Sequence, residues 1–128
     1  MKARLAILIC LASTSALAHH SFVASFDENK PVSMTGTVTS LEWTNPHIWF
    51  FVDVENADGT VTNWGFEMGS PNFLMRAGWR HDSMQVGDVV NVEGSQSRDD
   101  SANAHATTVV LTETGQPLFS GPQVPPAR

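Results

Sequence analysis

Apolar and polar residues alternate along most of the chain with a period of two, which is typical of half-buried β-strands. The clearest alternating runs predict five strands, at residues 32–43, 46–55, 60–68, 89–95 and 105–114. In the first strand the apolar phase slips near Thr39 and Ser40, which indicates a β-bulge or a sharp bend. Gly36 favours curvature in the same strand.

The sequence Asn-Ala-Asp-Gly between the second and third strands is typical of a β-hairpin turn. A two-residue turn would pair Phe50 with Glu67. A type I turn with the glycine as bulge residue would instead pair Phe50 with Phe66, and it would gather the large apolar residues of both strands on one face. We therefore predict the second register, because a slip of one residue would break that match. His47, Trp49 and Glu67 would then share the outward face.

Ser70 and Pro71 indicate the start of a short helix, since serine is a good N-cap residue and proline fits the first helical position. This helix would end before Gly78 and would lie between the third and fourth strands. Five strands with one short helix at that point have the order of a small OB-like barrel, in which a bent first strand serves both sides. We predict this all-β fold, with a small β-sandwich as the alternative.

The first 18 residues have the features of a cleavable signal peptide, namely Lys2 and Arg4, an apolar run, and an Ala-Leu-Ala cleavage site. Cleavage after Ala18 would make His19 the amino terminus, and it predicts a soluble, exported protein. The expected segments are the signal peptide (1–18), an N-terminal arm (19–31), the barrel domain (32–120) and a disordered tail (121–128).

The composition argues against several functions. Loss of Lys2 and Arg4 on cleavage leaves 5 of the 7 basic side chains against 13 acidic ones, a net charge of −8. A domain this acidic is not expected to bind nucleic acid or an anionic lipid surface. The only cysteine, Cys10, precedes the cleavage site, and no later stretch has the length of a membrane span. The chain also has no nucleophile elbow and no glycine-rich phosphate loop, which argues against a stand-alone enzyme.

His19 carries the leading chemical hypothesis. After cleavage it would offer an amine and an imidazole on one residue, and these two groups together can chelate a metal ion. His47 and Glu67 would add an imidazole nitrogen and a carboxylate oxygen, which suit Cu(II), Ni(II) or Zn(II). We therefore expect a transition-metal site, with copper as the first candidate, formed by His19 and His47 and extended by His20 and Glu67.

Each of these residues also has an alternative interpretation. His19 and His20 could form a solvated terminus. His47 could cap the turn that begins at Pro46 or stack beside an aromatic ring, and Glu67 could be an ordinary outward carboxylate.

Trp43 and Trp49 support a competing hypothesis, in which an exposed aromatic face binds a ligand or a periplasmic partner protein. In that case the protein would be an accessory or ligand-binding module of a periplasmic enzyme system. The alternative for these two rings is packing under the N-terminal arm. His81 is expected at the surface, and His105 is expected to be a half-buried residue at the start of a strand rather than a ligand.

Four short motifs resemble a known family. They are His-His-Ser-Phe at 19–22, Glu-Trp-Thr-Asn-Pro-His at 42–47, Trp-Gly-Phe-Glu at 64–67 and Gly-Trp at 78–79. Together they are similar to a family of short exported bacterial proteins of unknown function, whose mature chains begin with His-His-Ser-Phe and contain Trp-x-Asn-Pro-His. This resemblance covers nearly all of the mature chain. It implies a periplasmic location in a Gram-negative bacterium and draws attention to His19, His20, His47 and Glu67, but it implies no particular activity.

Overall fold

A computed structural model describes residues 24–120. The elements in this range are β1 (Phe26–Glu42), β2 (Trp49–Glu55), β3 (Val61–Glu67), α1 (Pro71–Arg76), β4 (Val89–Ser97), β5 (Asn103–Leu111) and β6 (Pro117–Ser120). The predicted signal peptide, His19, His20 and the predicted tail lie outside the described residues. None of the helices within residues 24–120 combines the length and the hydropathy that a membrane crossing requires.

Five of the strands close into a ring. β1 pairs antiparallel with both β2 and β4, β2 pairs with β3, and β4 pairs with β5. A parallel pairing of β3 with β5, from Gly65 opposite Asn103 to Glu67 opposite His105, joins the two ends. The cyclic order β1-β2-β3-β5-β4, with α1 between β3 and β4, is the connectivity of an OB-type fold. The predicted fold class is confirmed.

β1 serves both sides of the ring because it is long and bent. Its first part pairs with β4 and its last part with β2, and the pairing with β2 slips between Val38 and Ser40, where the phase change predicts a bulge. Gly36 permits the close approach of β2, since a Cβ atom there would lie 2.2 Å from the carbonyl oxygen of Asp53.

Two features at the ends of the sheet differ from the sequence-based expectation. β1 begins at Phe26, so residues 26–31, expected in the arm, belong to the first strand. These residues pair with β4 only at Phe26 and Pro31, with a register shift between them. Because the pairing is irregular, the sequence shows no alternation of apolar and polar residues there. β6 is an additional strand on β5, too short to show a period, and Phe119 in it pairs with Val109.

The β2–β3 hairpin has the predicted register. Phe50 pairs with Phe66, and Trp49 pairs with Glu67. The turn is closed by Gly59, whose φ of 83° lies in the left-handed region that favours glycine. The inner faces of both strands are therefore apolar, and the outer faces carry the candidate site residues.

The core fills the interior of the ring. Phe50 and Phe66 are both fully buried and stack with ring centroids 5.2 Å apart. Ser70 caps α1 as predicted, since its hydroxyl accepts the Phe73 N–H at 3.3 Å. Trp64 lies half-buried against this core. The largest fully buried side chains are Trp79, Phe50, Phe66, Ile48, Met68, Leu74, Met84, Val38, Val52, Val90, Val92 and Val109.

Candidate functional site

His47 and Glu67 meet beside the β2–β3 hairpin. Glu67 is the last residue of β3 and pairs with Trp49 on one side and His105 on the other, so two neighbouring strands fix its backbone. His47 lies two residues before β2. Its Nδ1 atom is in hydrogen-bonding contact with Oε1 of Glu67. The structure therefore brings together two of the four predicted metal-binding residues.

The two partners differ in exposure. The side chain of His47 is 41% exposed, whereas that of Glu67 is only 17% exposed. A carboxylate so largely removed from water requires a polar partner, and the imidazole of His47 is one. Because Nδ1 faces the carboxylate, Nε2 is the ring nitrogen that remains for a ligand.

His105 is a third titratable group at this site, and the sequence alone underestimates its burial. It is only 6% exposed, and its ring lies 5.7 Å from that of Phe26, between centroids. Burial, and after it the charge of His47, lowers the pKa of His105 from 6.5 to about 4. The imidazole is therefore neutral at pH 7. The pairing of β3 with β5 that puts it opposite Glu67 leaves no local trace in the sequence.

A cavity of about 350 Å³ opens beside Glu67. This volume is at the lower end of the range for small-molecule sites, which is about 300–1,000 Å³. The polar groups of its β4–β5 wall bond to one another, since Ser97 donates to Asp99 at 2.6 Å and Asn103 donates to Ser101 at 3.0 Å. The cavity is lined by Ala24, Ser25, Phe26, Trp49, Glu67, Ser97, Arg98, Asp99, Ser101 and Asn103.

Ala24 also lines this cavity, and its position bears on the predicted metal site. His19 precedes Ala24 by five residues, and five extended residues span at most about 18 Å. Among residues 24–120, no group of three or more His, Cys, Asp or Glu side chains is arranged to hold a metal ion. His47 and Glu67 supply two potential ligands, and the other two predicted ligands, His19 and His20, lie outside the described residues.

The aromatic ring that stacks on Trp49 is that of Phe51. The rings of Trp49 and Phe51 stack with centroids 6.4 Å apart and an interplanar angle of 22°, and both residues are half-buried. Trp43 packs against the core, and its ring lies 4.4 Å from that of the exposed His81. Phe51 could have been found from the sequence, because it is two residues from Trp49 in an alternating strand.

Comparison with solved structures finds a similar backbone in a mitochondrial single-stranded DNA-binding protein from S. cerevisiae. The identity is 12%, the alignment covers 65% of this chain and 93% of the yeast chain, and the TM-score is 0.49. At this level the similarity carries no inference about what this chain binds. No curated protein matches the sequence significantly.

The sequence matches one protein family over most of its length. The match spans residues 6–107, which include the four motifs noted above. The chain therefore belongs to DUF6152, a family of unknown function.

Proposed function

We propose that this protein is an exported periplasmic protein that binds a transition-metal ion, with copper as the first candidate, next to His47 and Glu67. The observation that carries the proposal is the contact between Nδ1 of His47 and Oε1 of Glu67. It provides a partly exposed imidazole whose orientation is already set by a largely covered carboxylate. Imidazole is a preferred ligand of copper and zinc.

The mature amino terminus would supply the remaining ligands. Cleavage after Ala18 gives His19 a free amine beside its imidazole, and His20 adds a second imidazole. The cavity wall supports this arrangement, because Ala24 and Glu67 line the same cavity and five extended residues reach about 18 Å.

The type and charge of these ligands favour Cu(II) among divalent ions. Nitrogen ligands bind Cu(II) more tightly than Ni(II) or Zn(II) in the general order of stability of such complexes. The net charge of −8 on the mature chain also attracts cations over longer distances.

A copper titration tests the proposal. Mature protein whose His19 terminus has been verified by mass spectrometry is compared with the same protein carrying three extra glycines before His19, and with His47→Ala. We expect the native terminus to bind Cu(II) at least tenfold more tightly than either variant. His81→Ala is the matched control, because His81 is an exposed histidine in contact with Trp43. Equal affinities for native and extended termini, or an equal loss in His47→Ala and His81→Ala, would contradict the proposal.

The stacked rings of Trp49 and Phe51 favour a second candidate function. Two half-buried aromatic side chains on the outward face of one strand suit a ligand or a partner protein. In this case the protein would be an accessory or ligand-binding module of a periplasmic enzyme system. Two chromosomal alleles in the host bacterium distinguish the two functions. If the protein has an accessory role, Trp49→Ala and not His47→Ala would abolish it, and if it has a copper-dependent role, His47→Ala would abolish that role.

A further inference from the structure

We infer that Glu67 is a positioning residue, which holds the His47 ring so that Nε2 binds the metal ion, and that Glu67 itself is not a ligand. This inference rests on the proposed metal-binding function and refines the role of Glu67 within it.

The contact between the two side chains selects one ring nitrogen. A neutral imidazole has one nitrogen that donates a hydrogen bond and one that carries a free lone pair. A carboxylate can only accept, so the contact with Oε1 of Glu67 requires the proton of His47 on Nδ1. The lone pair then lies on Nε2, which is the nitrogen that can bind a metal ion.

The geometry also separates Glu67 from the metal ion. A metal ion bound to Nε2 lies across the imidazole ring from Nδ1, and therefore across the ring from the carboxylate that contacts Nδ1. A carboxylate ligand must come within about 2.2 Å of the metal ion. Glu67 cannot meet that distance while it keeps its contact with His47. A histidine ligand backed by a carboxylate in this way is a common arrangement in metal sites.

Glu67 is suited to this role because its position is fixed. Its backbone pairs with both β2 and β5, and its side chain is only 17% exposed. His47 lies in the connection between β1 and β2, but the next residue is anchored. The Ile48 N–H donates to the Gly69 carbonyl at 3.0 Å, and the Ile48 carbonyl accepts from the Met68 N–H at 2.8 Å. Rotation of the His47 side chain is the main freedom left, and the contact with Glu67 restricts it.

The first test needs no variant and no metal. In ¹⁵N-labelled mature protein at pH 8, two-bond ¹H–¹⁵N spectra report which nitrogen of His47 carries the proton. We expect the Nδ1–H form to predominate. Finding the Nε2–H form instead would overturn the inference, whatever the protein binds.

Two variants of Glu67 then test its role in metal binding. Glu67→Gln keeps an oxygen that accepts the Nδ1–H bond, so the tautomer, the Cu(II) paramagnetic resonance spectrum and the affinity should all stay close to the wild type. Glu67→Leu removes the acceptor while keeping bulk, so both tautomers should appear and the Cu(II) affinity should fall about 10–100-fold. Circular dichroism checks whether each variant folds. If Glu67→Leu does not fold, Glu67→Gln still decides whether Glu67 is a ligand of the metal ion.

The outcomes separate this inference from the proposed function. If Glu67 were a ligand, Glu67→Gln would change the Cu(II) spectrum and would weaken binding, which would overturn the inference. If His47→Ala weakens copper binding but Glu67→Leu changes neither the tautomer nor the affinity, the inference fails and the proposed function stands. If His47→Ala leaves copper binding unchanged, the proposed function fails.

Discussion

Lowering the pH should destabilise this protein at pH values well above the usual pKa range of carboxyl groups. His105 should account for much of this effect. Burial, with the charge of His47 second, lowers the pKa of this histidine from 6.5 to about 4 in the native state. In the unfolded chain the imidazole is in water, where its pKa is about 6.5. As the pH falls below 6.5, the unfolded state therefore binds a proton that the native state does not bind until about pH 4. The contribution of the neutral, buried His105 to stability is fully present above pH 6.5 and is lost as the pH falls from 6.5 to about 4.

The size of the effect follows from the two pKa values. One pKa unit corresponds to about 1.4 kcal/mol, so the full window between pH 6.5 and pH 4 corresponds to about 3 kcal/mol. At pH 5 the loss from His105 should be about 2 kcal/mol relative to pH 7.5. Domains of this size are stabilised by about 5–15 kcal/mol in total, so the loss should be readily measurable.

Urea denaturation at pH 7.5 and pH 5 measures this loss, with His105→Gln as the comparison because glutamine does not titrate. We expect the difference between the two pH values to be about 2 kcal/mol smaller in His105→Gln than in the wild type. The window lies above the ordinary carboxyl pKa of 3.8, so carboxylates with lowered pKa values such as Asp27 and Asp99 contribute mainly at lower pH. An equal loss in both proteins would refute the reasoning.

Three further substitutions test the packing by urea denaturation at pH 7.5. Gly94→Ala should lower the free energy of unfolding by about 2 kcal/mol or more, because the new Cβ atom would lie 2.0 Å from the backbone carbonyl oxygen of His105. The control is Gly59→Asn, at an open turn position where asparagine tolerates a positive φ, and it should lower the free energy of unfolding by less. Phe66→Ala should lower the free energy of unfolding by about 3–5 kcal/mol, since this ring is fully buried. A loss below about 1.5 kcal/mol, which is typical of a volume-conserving substitution, would show that Phe66 does not lie in the core. Ser70→Ala should lower the free energy of unfolding by about 1 kcal/mol, because the N-cap hydrogen bond is lost. An unchanged free energy of unfolding would show that this hydrogen bond does not stabilise the protein.

Local patterns explain why much of the fold was predictable from the sequence. The β2–β3 hairpin depends on a turn sequence and on two matched apolar faces, and both are visible in a short stretch of the chain. The bulge after Val38 is likewise a local phase change. The helix start at Ser70 and Pro71 follows from capping chemistry alone. Each of these features is decided by residues close together in the sequence.

The features that were missed depend on contacts between distant residues. The burial of His105 follows from the parallel pairing of β3 with β5, which brings together positions far apart in the sequence. β6 is a strand only because β5 offers an edge to Phe119 and its neighbours. The contact between His47 and Glu67 was expected only as proximity on one face. Which ring nitrogen faces the carboxylate depends on side-chain geometry, which alternation does not encode.

A double-mutant cycle tests the central claim most directly, namely that the amino terminus and His47 bind the same copper ion. The Cu(II) dissociation constant is measured for four mature proteins: the native one, one with three glycines before His19, His47→Ala, and the combination. If both groups bind one ion, the second change should have little further effect after the first, so the two effects should be strongly non-additive. Additive effects, or a native protein that binds copper no more tightly than the combined variant, would contradict the account.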